Sequence, residues 1–494
     1  MPRVRATRGQ ADGLDLGLDL GTGSVKAALF EGSRLVRVAS APYAVTAPHP
    51  GWAESAPGAW WAATVQATRE VLGDHGPEVR AVGLSGQMHG VVLSDGRGHP
   101  LRPAILWADA RTTPQLAVYR ALPAPIRTAL RNPLTTGMAG PTLLWLREQE
   151  GDTYRAARWA LQPKDWLRLH LTGEARAEPS DASGTLLYDL EGEDWNRALL
   201  DRLGLRPGLL APLLPSRAVA GTLKREPAQQ LGLSPGLPVA AGGADTAAAL
   251  LGTGLPTGQG QLTVGTGAQL VLRQDTLPEA QPGLHVLRDT RDRGWYTLAA
   301  VQNAGVALEW ARRVLRCGWE EFYALARQAP PGAGGLLFLP YLTGDRTPHL
   351  DPNARGGWIG AGLEHDAPHL ARAAFEGVAL SIAEAAALLP SAVQPAWRLA
   401  GGGSVQPWWR QLLADVLARP LELLDVPSAS AFGAALLAGA AATGRPPDLP
   451  DWRSTEVVEP AGEGVPAGTR DRFSAAYQAL RPWFAQRRST PPAV

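Results

Sequence analysis

The chain reads as an α/β protein of two large lobes that share a cleft. Three observations carry that reading. A glycine-threonine-glycine turn occurs twice, as Leu20-Gly21-Thr22-Gly23-Ser24 and as Val264-Gly265-Thr266-Gly267-Ala268, each between alternating apolar runs. Strand-like and helix-like periods alternate along the sequence, as α/β architecture requires. At 494 residues the chain is too long for a single core, and about two to four domains are expected.

Taken in order, residues 1–13 are basic but lead into no apolar run, so they read as a disordered extension and not as a secretory signal. Leu14-Asp15-Leu16-Gly17-Leu18-Asp19-Leu20 and Val25-Lys26-Ala27-Ala28-Leu29-Phe30 flank the first turn and predict a hairpin. Residues 60–72 have helical spacing, and 79–84 and 91–94 are apolar, strand-like runs. Proline and glycine gather at 206–215 and 233–238, which sets a lobe boundary just before Asp245. The domains expected are therefore 14–240 and 241–442, with a tail and packing helix at 443–494. A helix over 246–251 and the second hairpin follow. Residues 305–316 predict a helix with Val306, Leu308, Trp310 and Val314 available for burial, and 370–389 a long amphipathic one. A strand at 398–400 runs into Gly401-Gly402-Gly403-Ser404 and then a helix over 408–418; residues 470–488 read as a terminal helix.

Composition narrows the partners. An apolar fraction of 45%, a charged fraction of 19% and a formal net charge of +1 describe an ordinary soluble protein, with no electrostatic case for nucleic acid or an acidic membrane. Small molecules are the expected partners. No run approaches the ~20 apolar residues a membrane helix needs. Cys317 is the only cysteine, so neither a disulfide framework nor a zinc cluster is available and a cytoplasmic location is expected. Only three lysines occur, Lys26, Lys164 and Lys224, and Lys26 stands just past the first turn.

Glycine turns let backbone N–H groups approach an anion, since no Cβ intervenes and positive φ is accessible. Two such tips in two lobes could hold one polyphosphate between them. Asp19 ends an apolar strand immediately before the first tip, where a carboxylate is costly unless it meets a cation or hydrogen-bond donors. Magnesium beside a triphosphate suits it, because that ion takes one or two carboxylates together with phosphate oxygens. Asp245 precedes an alanine-rich helix and reads either as an N-cap or as a carboxylate presented to the cleft. Ser85-Gly86-Gln87-Met88-His89-Gly90 makes a small polar loop suited to a polyol. The triple glycine offers flat backbone for a planar base.

Taken together these segments resemble the FGGY carbohydrate kinases, and the resemblance covers nearly the whole chain from Leu14. It rests on Asp19-Leu20-Gly21-Thr22-Gly23-Ser24-Val25-Lys26, the Met88-His89 loop, Trp107-Ala108-Asp109-Ala110-Arg111, Pro163-Lys164-Asp165-Trp166, Ser180-Asp181-Ala182-Ser183-Gly184-Thr185, Gly344-Asp345-Arg346-Thr347-Pro348-His349 and the triple glycine. It implies two actin-like, ribonuclease H-like lobes with the catalytic cleft between them. Asp245 would be the proton acceptor, with Met88, His89, Gly90 and Thr246 at the sugar and Asp19 at Mg2+. ATP would lie against Gly21, Thr22, Gly23, Ser24, Lys26, Gly265, Thr266, Gly267, Gly401, Gly402, Gly403 and Gln406. The Met-His-Gly loop resembles that of the xylulose-phosphorylating branch, so ATP-dependent phosphorylation of D-xylulose at O5 is the expected reaction, and a homodimer the expected assembly. Two departures stand out: Thr246 occupies a position that is often Asn, and the second turn reads Gly-Thr-Gly-Ala where Gly-Thr-Ser-Gly is frequent. A same-fold kinase for ribulose or gluconate, or an actin-like nucleotide switch, are the alternatives.

Overall fold

The computed structural model describes residues 13–450, 452–462 and 464–486, so the extension expected at 1–13 lies almost wholly outside the described residues, as does the last part of the terminal helix expected to reach 488. The first sheet is built from β1 (Leu14–Leu20), β2 (Ser24–Glu31), β3 (Arg34–Pro42), β4 (Val79–Gly86), β5 (Val219–Thr222), β6 (Pro238–Ala240) and β7 (Gly243–Ala244). Its order is β5-β6-β4-β1-β2-β3, with β7 pairing with β4. Strands β1, β2 and β3 form an antiparallel meander, β4 and β6 continue parallel to β1, and β5 returns antiparallel at the edge.

The second sheet repeats the plan. It contains β8 (Gly260–Val264), β9 (Ala268–Gln274), β10 (His285–Arg288), β11 (Trp295–Val301), β12 (Trp397–Ala400), β13 (Leu421–Leu423) and β14 (Glu456–Val458), in the order β10-β11-β9-β8-β12-β13-β14. Again a meander (β8, β9, β11) is followed by two parallel strands (β12, β13) and an antiparallel edge (β14). The two glycine turns crown β1–β2 and β8–β9, equivalent places in the two sheets.

Helices cover the sheets: α1 (Pro57–Leu72), α2 (Pro163–Thr172), α3 (Pro179–Ala182), α4 (Asp245–Gly252), α5 (Gly305–Val314), α6 (Ala367–Leu388), α7 (Pro407–Leu417), α8 (Ala429–Thr443) and α9 (Thr469–Gln486). Proline at the first turn starts α1, which buries Trp60, Ala63, Ala67 and Val71, and Gly73 at φ 51 stops it. A capping box between Asp366 and His369 sets the start of α6. In α5 the expected burial holds for Leu308, but Val314 is half exposed and the inward stripe is Ala307, Leu308 and Ala311. Val314 closes the helix beside Arg312 and Arg313, past the edge of the core. Trp310 instead stacks on Trp358 at 5.4 Å between ring centroids.

The period-two pattern of β1 decides what lies on each face. Leu14, Leu16, Leu18 and Leu20 join the core that includes Trp60, Val71 and Trp166. On the other face a Cβ at Gly17 would meet the Ala431 carbonyl oxygen at 1.9 Å, and one at Gly83 the Ala434 oxygen at 1.9 Å. Gly17 and Gly83 are register partners in β1 and β4. Together they form a groove in which the backbone of α8 lies directly on the sheet. Helix α8 in turn meets α4 backbone to backbone, a Cβ at Gly433 falling 1.8 Å from the Ala248 oxygen.

Candidate active site

Asp19 lies at the carboxyl end of β1, the edge of an open α/β sheet where ligands bind. Half-buried, it accepts a hydrogen bond from Ser85 Oγ at 3.0 Å and stands opposite Lys26 across the hairpin. Burial raises its pKa above the ordinary carboxylate value, against the Ser85 hydrogen bond and the Lys26 charge.

Each tip is tied down separately. In the first, Gly21 N–H donates to the Ser24 carbonyl at 3.0 Å, the Tyr43 hydroxyl donates to the Gly21 carbonyl, and Trp107 Nε1 donates to Thr22 Oγ1 at 3.0 Å. In the second, Gly265 N–H donates to the Gly267 carbonyl at 2.8 Å. The start of α5 is stitched to it through Gly305 N–H to the Gly265 carbonyl (3.1 Å) and Val306 N–H to the Thr266 carbonyl (2.9 Å). An anion at this tip would therefore also face a helix N-terminus. The expectation that the tips exploit positive φ is corrected: none of Gly21, Gly23, Gly265 and Gly267 has it. At Gly23 and Gly265 glycine supplies space instead. A Cβ on Gly23 would meet nothing within 4 Å, and one on Gly265 would find its nearest neighbour at 3.9 Å.

Asp245 is not the N-cap of α4. Ala244 takes that position and Asp245 is the first helical residue, half-buried. Its Oδ1 accepts from Thr246 N–H at 2.5 Å and from Thr246 Oγ1 at 3.1 Å. Burial and the like charge of Asp19 push its carboxyl up to about 6, against the two Thr246 donors. Both acidic residues thus stand on the first sheet, Asp19 on β1 and Asp245 directly after β7, which pairs with β4 beside β1. Thr246 Oγ1 also lies 3.5 Å from Gln269 Oε1, just past the second tip.

The polyol loop approaches from the first lobe. Met88 is buried among Ala244, Ala247, Leu250, Val271 and Tyr296, and so forms a wall shared with the helix that carries Asp245. His89 holds φ 69, a strained value for a side-chain-bearing residue, and its Nδ1 lies 2.9 Å from the Gly184 carbonyl. Burial, aided by the Arg346 charge, lowers its pKa to about 4, so the ring is neutral at pH 7. A carbonyl can only accept, which puts the proton on Nδ1 and leaves Nε2 a lone pair for a hydroxyl donor. A Cβ on Gly90 would meet Pro163 Cγ at 2.8 Å, so glycine seats this loop against the start of α2.

The triple glycine packs against the end of β8, next to the second tip. Gly401 has φ 95, and a Cβ there would meet the Val264 carbonyl oxygen at 2.2 Å. Gly402 faces open space, and half-buried Gln406 stands at the N-cap of α7. Sequence reasoning quoted Trp107 and Arg346 without assigning them roles and passed over His285. The Arg346 guanidinium lies 5.4 Å over the Trp107 ring, and its charge acts on both His89 and His285. Only the fold could show this, since Trp107 and Arg346 come from different lobes.

Among the described residues no cluster of three or more His, Cys, Asp or Glu side chains could hold a metal alone. Asp19 and Asp245, mutually repelling carboxylates, nonetheless fit a hard cation whose remaining ligands are phosphate oxygens and water. Also among the described residues, no helix is long and apolar enough to cross a membrane.

Comparison with known proteins identifies the family. The N-terminal domain of the FGGY family of carbohydrate kinases matches residues 14–252 and its C-terminal domain residues 260–442. A xylulose kinase of Escherichia coli (strain K12) is 33% identical over 490 residues, 95% of this chain and 100% of the relative. The crystal structure of a xylulose kinase from Rhodospirillum rubrum superposes with a TM-score of 0.86 at 30% identity, covering 96% of this chain and 100% of the other. A gluconate kinase from Lactobacillus acidophilus shares the fold at a TM-score of 0.85 and 24% identity, covering 96% and 97%. Two matched domains spanning most of the sequence, each crowned by a glycine turn at one shared cleft, place this chain in the FGGY family of carbohydrate kinases, sugar kinases with ATP as co-substrate.

Proposed function

We propose that the protein phosphorylates D-xylulose at O5 with ATP, giving D-xylulose 5-phosphate and ADP, and that Asp245 is the general base. The observation that carries this reading is the Asp245 carboxylate itself. It opens α4 within reach of the Asp19 charge and next to Thr246, which approaches Gln269 just past the second tip; it shares a wall with Met88, and its carboxyl is pushed up to about 6, low enough to be ionised at pH 7 and high enough to take a proton late in phosphoryl transfer. His89, neutral, receives a sugar hydroxyl at Nε2 and orients the substrate. Backbone N–H groups of the two tips, with Lys26, hold the phosphates. Mg2+ bound by Asp19 would neutralise charge on the polyphosphate. Closure of the lobes excludes water, the competing nucleophile.

Thr246 supports a second reading, a kinase of the same fold for ribulose or gluconate. Its hydroxyl is turned toward Asp245 and Gln269, which alters the pattern of donors beside the base. ADP release measured with Mg-ATP against D-xylulose, D-ribulose, L-ribulose, gluconate and glycerol tests both. A kcat/KM highest for D-xylulose is expected. A higher value for another sugar moves the specificity and keeps the fold, whereas ADP release indifferent to every sugar removes the kinase assignment of the site.

A further inference from the structure

Lys164 is one of three lysines in the chain, and nothing described so far uses it. It is fully buried on α2, with Nζ 3.1 Å from Glu178 Oε1, 2.6 Å from Asp165 Oδ1 and 3.1 Å from Asp181 Oδ2. Glu178, also fully buried, caps α3 by accepting from Ser180 N–H at 2.7 Å and Asp181 N–H at 2.9 Å. Two hydroxyls converge on the same carboxylate, Ser180 Oγ at 2.7 Å and Ser216 Oγ at 2.9 Å from Oε2.

Both hydroxyls donate to Glu178 Oε2. That fixes where the serine lone pairs go. Ser180 Oγ accepts Ala244 N–H at 3.0 Å, satisfying the backbone donor just before α4. Ser216, through its own carbonyl, accepts Gly242 N–H at 2.9 Å. Gly242 has φ 87, and a Cβ there would meet the Leu84 carbonyl oxygen at 2.4 Å, so this stretch has little room to shift. Glu178, which shares the buried Lys164 ammonium with Asp165 and Asp181, is therefore tied to two of the three residues before Asp245, to Ala244 through the Ser180 hydroxyl and to Gly242 through the Ser216 backbone.

We propose that Glu178, with Lys164 as its counter-charge, anchors a two-armed clamp whose arms, Ser180 and Ser216, fix the backbone ahead of Asp245 and so aim the base. The inference rests on Asp245 acting as the base. The two serines are positioning residues. They touch no reacting atom and act only through the direction of the Asp245 carboxylate, where a misplacement near 1 Å costs about 10²-fold in rate.

The test measures ADP release and thermal unfolding for Ser180→Ala, Ser216→Ala and Ser180→Thr, and repeats Ser180→Ala and Ser216→Ala in an Asp245→Asn background. In the wild-type background each alanine variant is expected to lower kcat about 10- to 100-fold. The KM for ATP should stay unchanged, and Ser180→Thr, which keeps the hydroxyl, should recover most of the rate. In the Asp245→Asn background neither alanine should reduce the residual rate further, because the clamp has nothing left to aim. An equal loss in both backgrounds, or no loss of kcat in either single variant, overturns the clamp. Near-full activity of Asp245→Asn alone overturns the base assignment, and the clamp with it. If Ser180→Ala does not fold, the Ser216 arm carries the same test.

Discussion

The two glycine tips crown hairpins of one design, yet only the first is charged. Asp19 and Lys26 face each other across β1 and β2, two residues before the first glycine; the corresponding pair across β8 and β9 is Thr263 and Gln269. Both tips offer backbone N–H groups. The first adds a carboxylate and an ammonium, the second only neutral side chains and the start of α5. Under the proposed function the duplicated fold divides the work, with ion handling and charge control assigned to the first tip and neutral phosphate cradling to the second.

The comparison is sharpened most by removing Asp245, the proposed base. Asp245→Asn is expected to lower kcat by about 10²- to 10⁴-fold with little change in the KM for ATP, measured by coupled ADP release. The next effect concerns the charge at the first tip. As the proposed base Asp245 must be ionised, and with its carboxyl pushed up to about 6, activity should fall as pH drops through about 6. Because the Asp19 charge raises that value, Asp19→Asn should move the acidic limb of the pH–rate profile to lower pH while also reducing kcat and weakening the response to Mg2+. An acidic limb that stays in place would mean that the two carboxylates do not interact.

Making the second tip like the first is a smaller perturbation. Thr263→Asp adds a negative charge beside the neutral cradle and should raise the KM for ATP several-fold, more strongly at low ionic strength. The smallest effects separate space from packing. A Cβ on Gly23 meets no protein atom within 4 Å, so Gly23→Ala should leave the melting temperature unchanged and raise only the KM for ATP. A Cβ on Gly267 falls 2.7 Å from the Val301 carbonyl oxygen, so Gly267→Ala should lower stability by about 1–3 kcal/mol, read from denaturant unfolding. If both behave alike, the two tips are more equivalent than their neighbours suggest.

What sequence reasoning recovered follows from the range of each signal. Both hairpins, α1, the long α6 and the strand running into the triple glycine announce themselves within a dozen residues, through alternation, helical spacing and glycine. Asp19 and Asp245 stood out as candidates because a carboxylate beside glycines is locally odd. The clamp was not legible, although Pro163-Lys164-Asp165-Trp166 and the Ser180-Asp181 segment were both noticed, because its meaning lies in contacts between residues 14 to 64 positions apart. Helix α8 escaped for another reason. Its Ala- and Gly-rich sequence has no polar face, since it is buried by the first sheet, α4 and the Phe30–Phe432 contact at 4.7 Å, and so it shows no amphipathic period.

The placement of α8 has a consequence for how the protein is made. The groove formed by Gly17 and Gly83 leaves the ribosome well before the helix that fills it, residues 429–443. During synthesis the first sheet therefore waits with one face bare until residues 429–443 emerge. A fragment ending near residue 240 is expected to expose that face and to aggregate or recruit chaperones, and supplying α8 in trans should rescue it. Completing the first lobe is thus coupled to finishing the second, so that the first sheet is covered only when most of the second lobe exists as well.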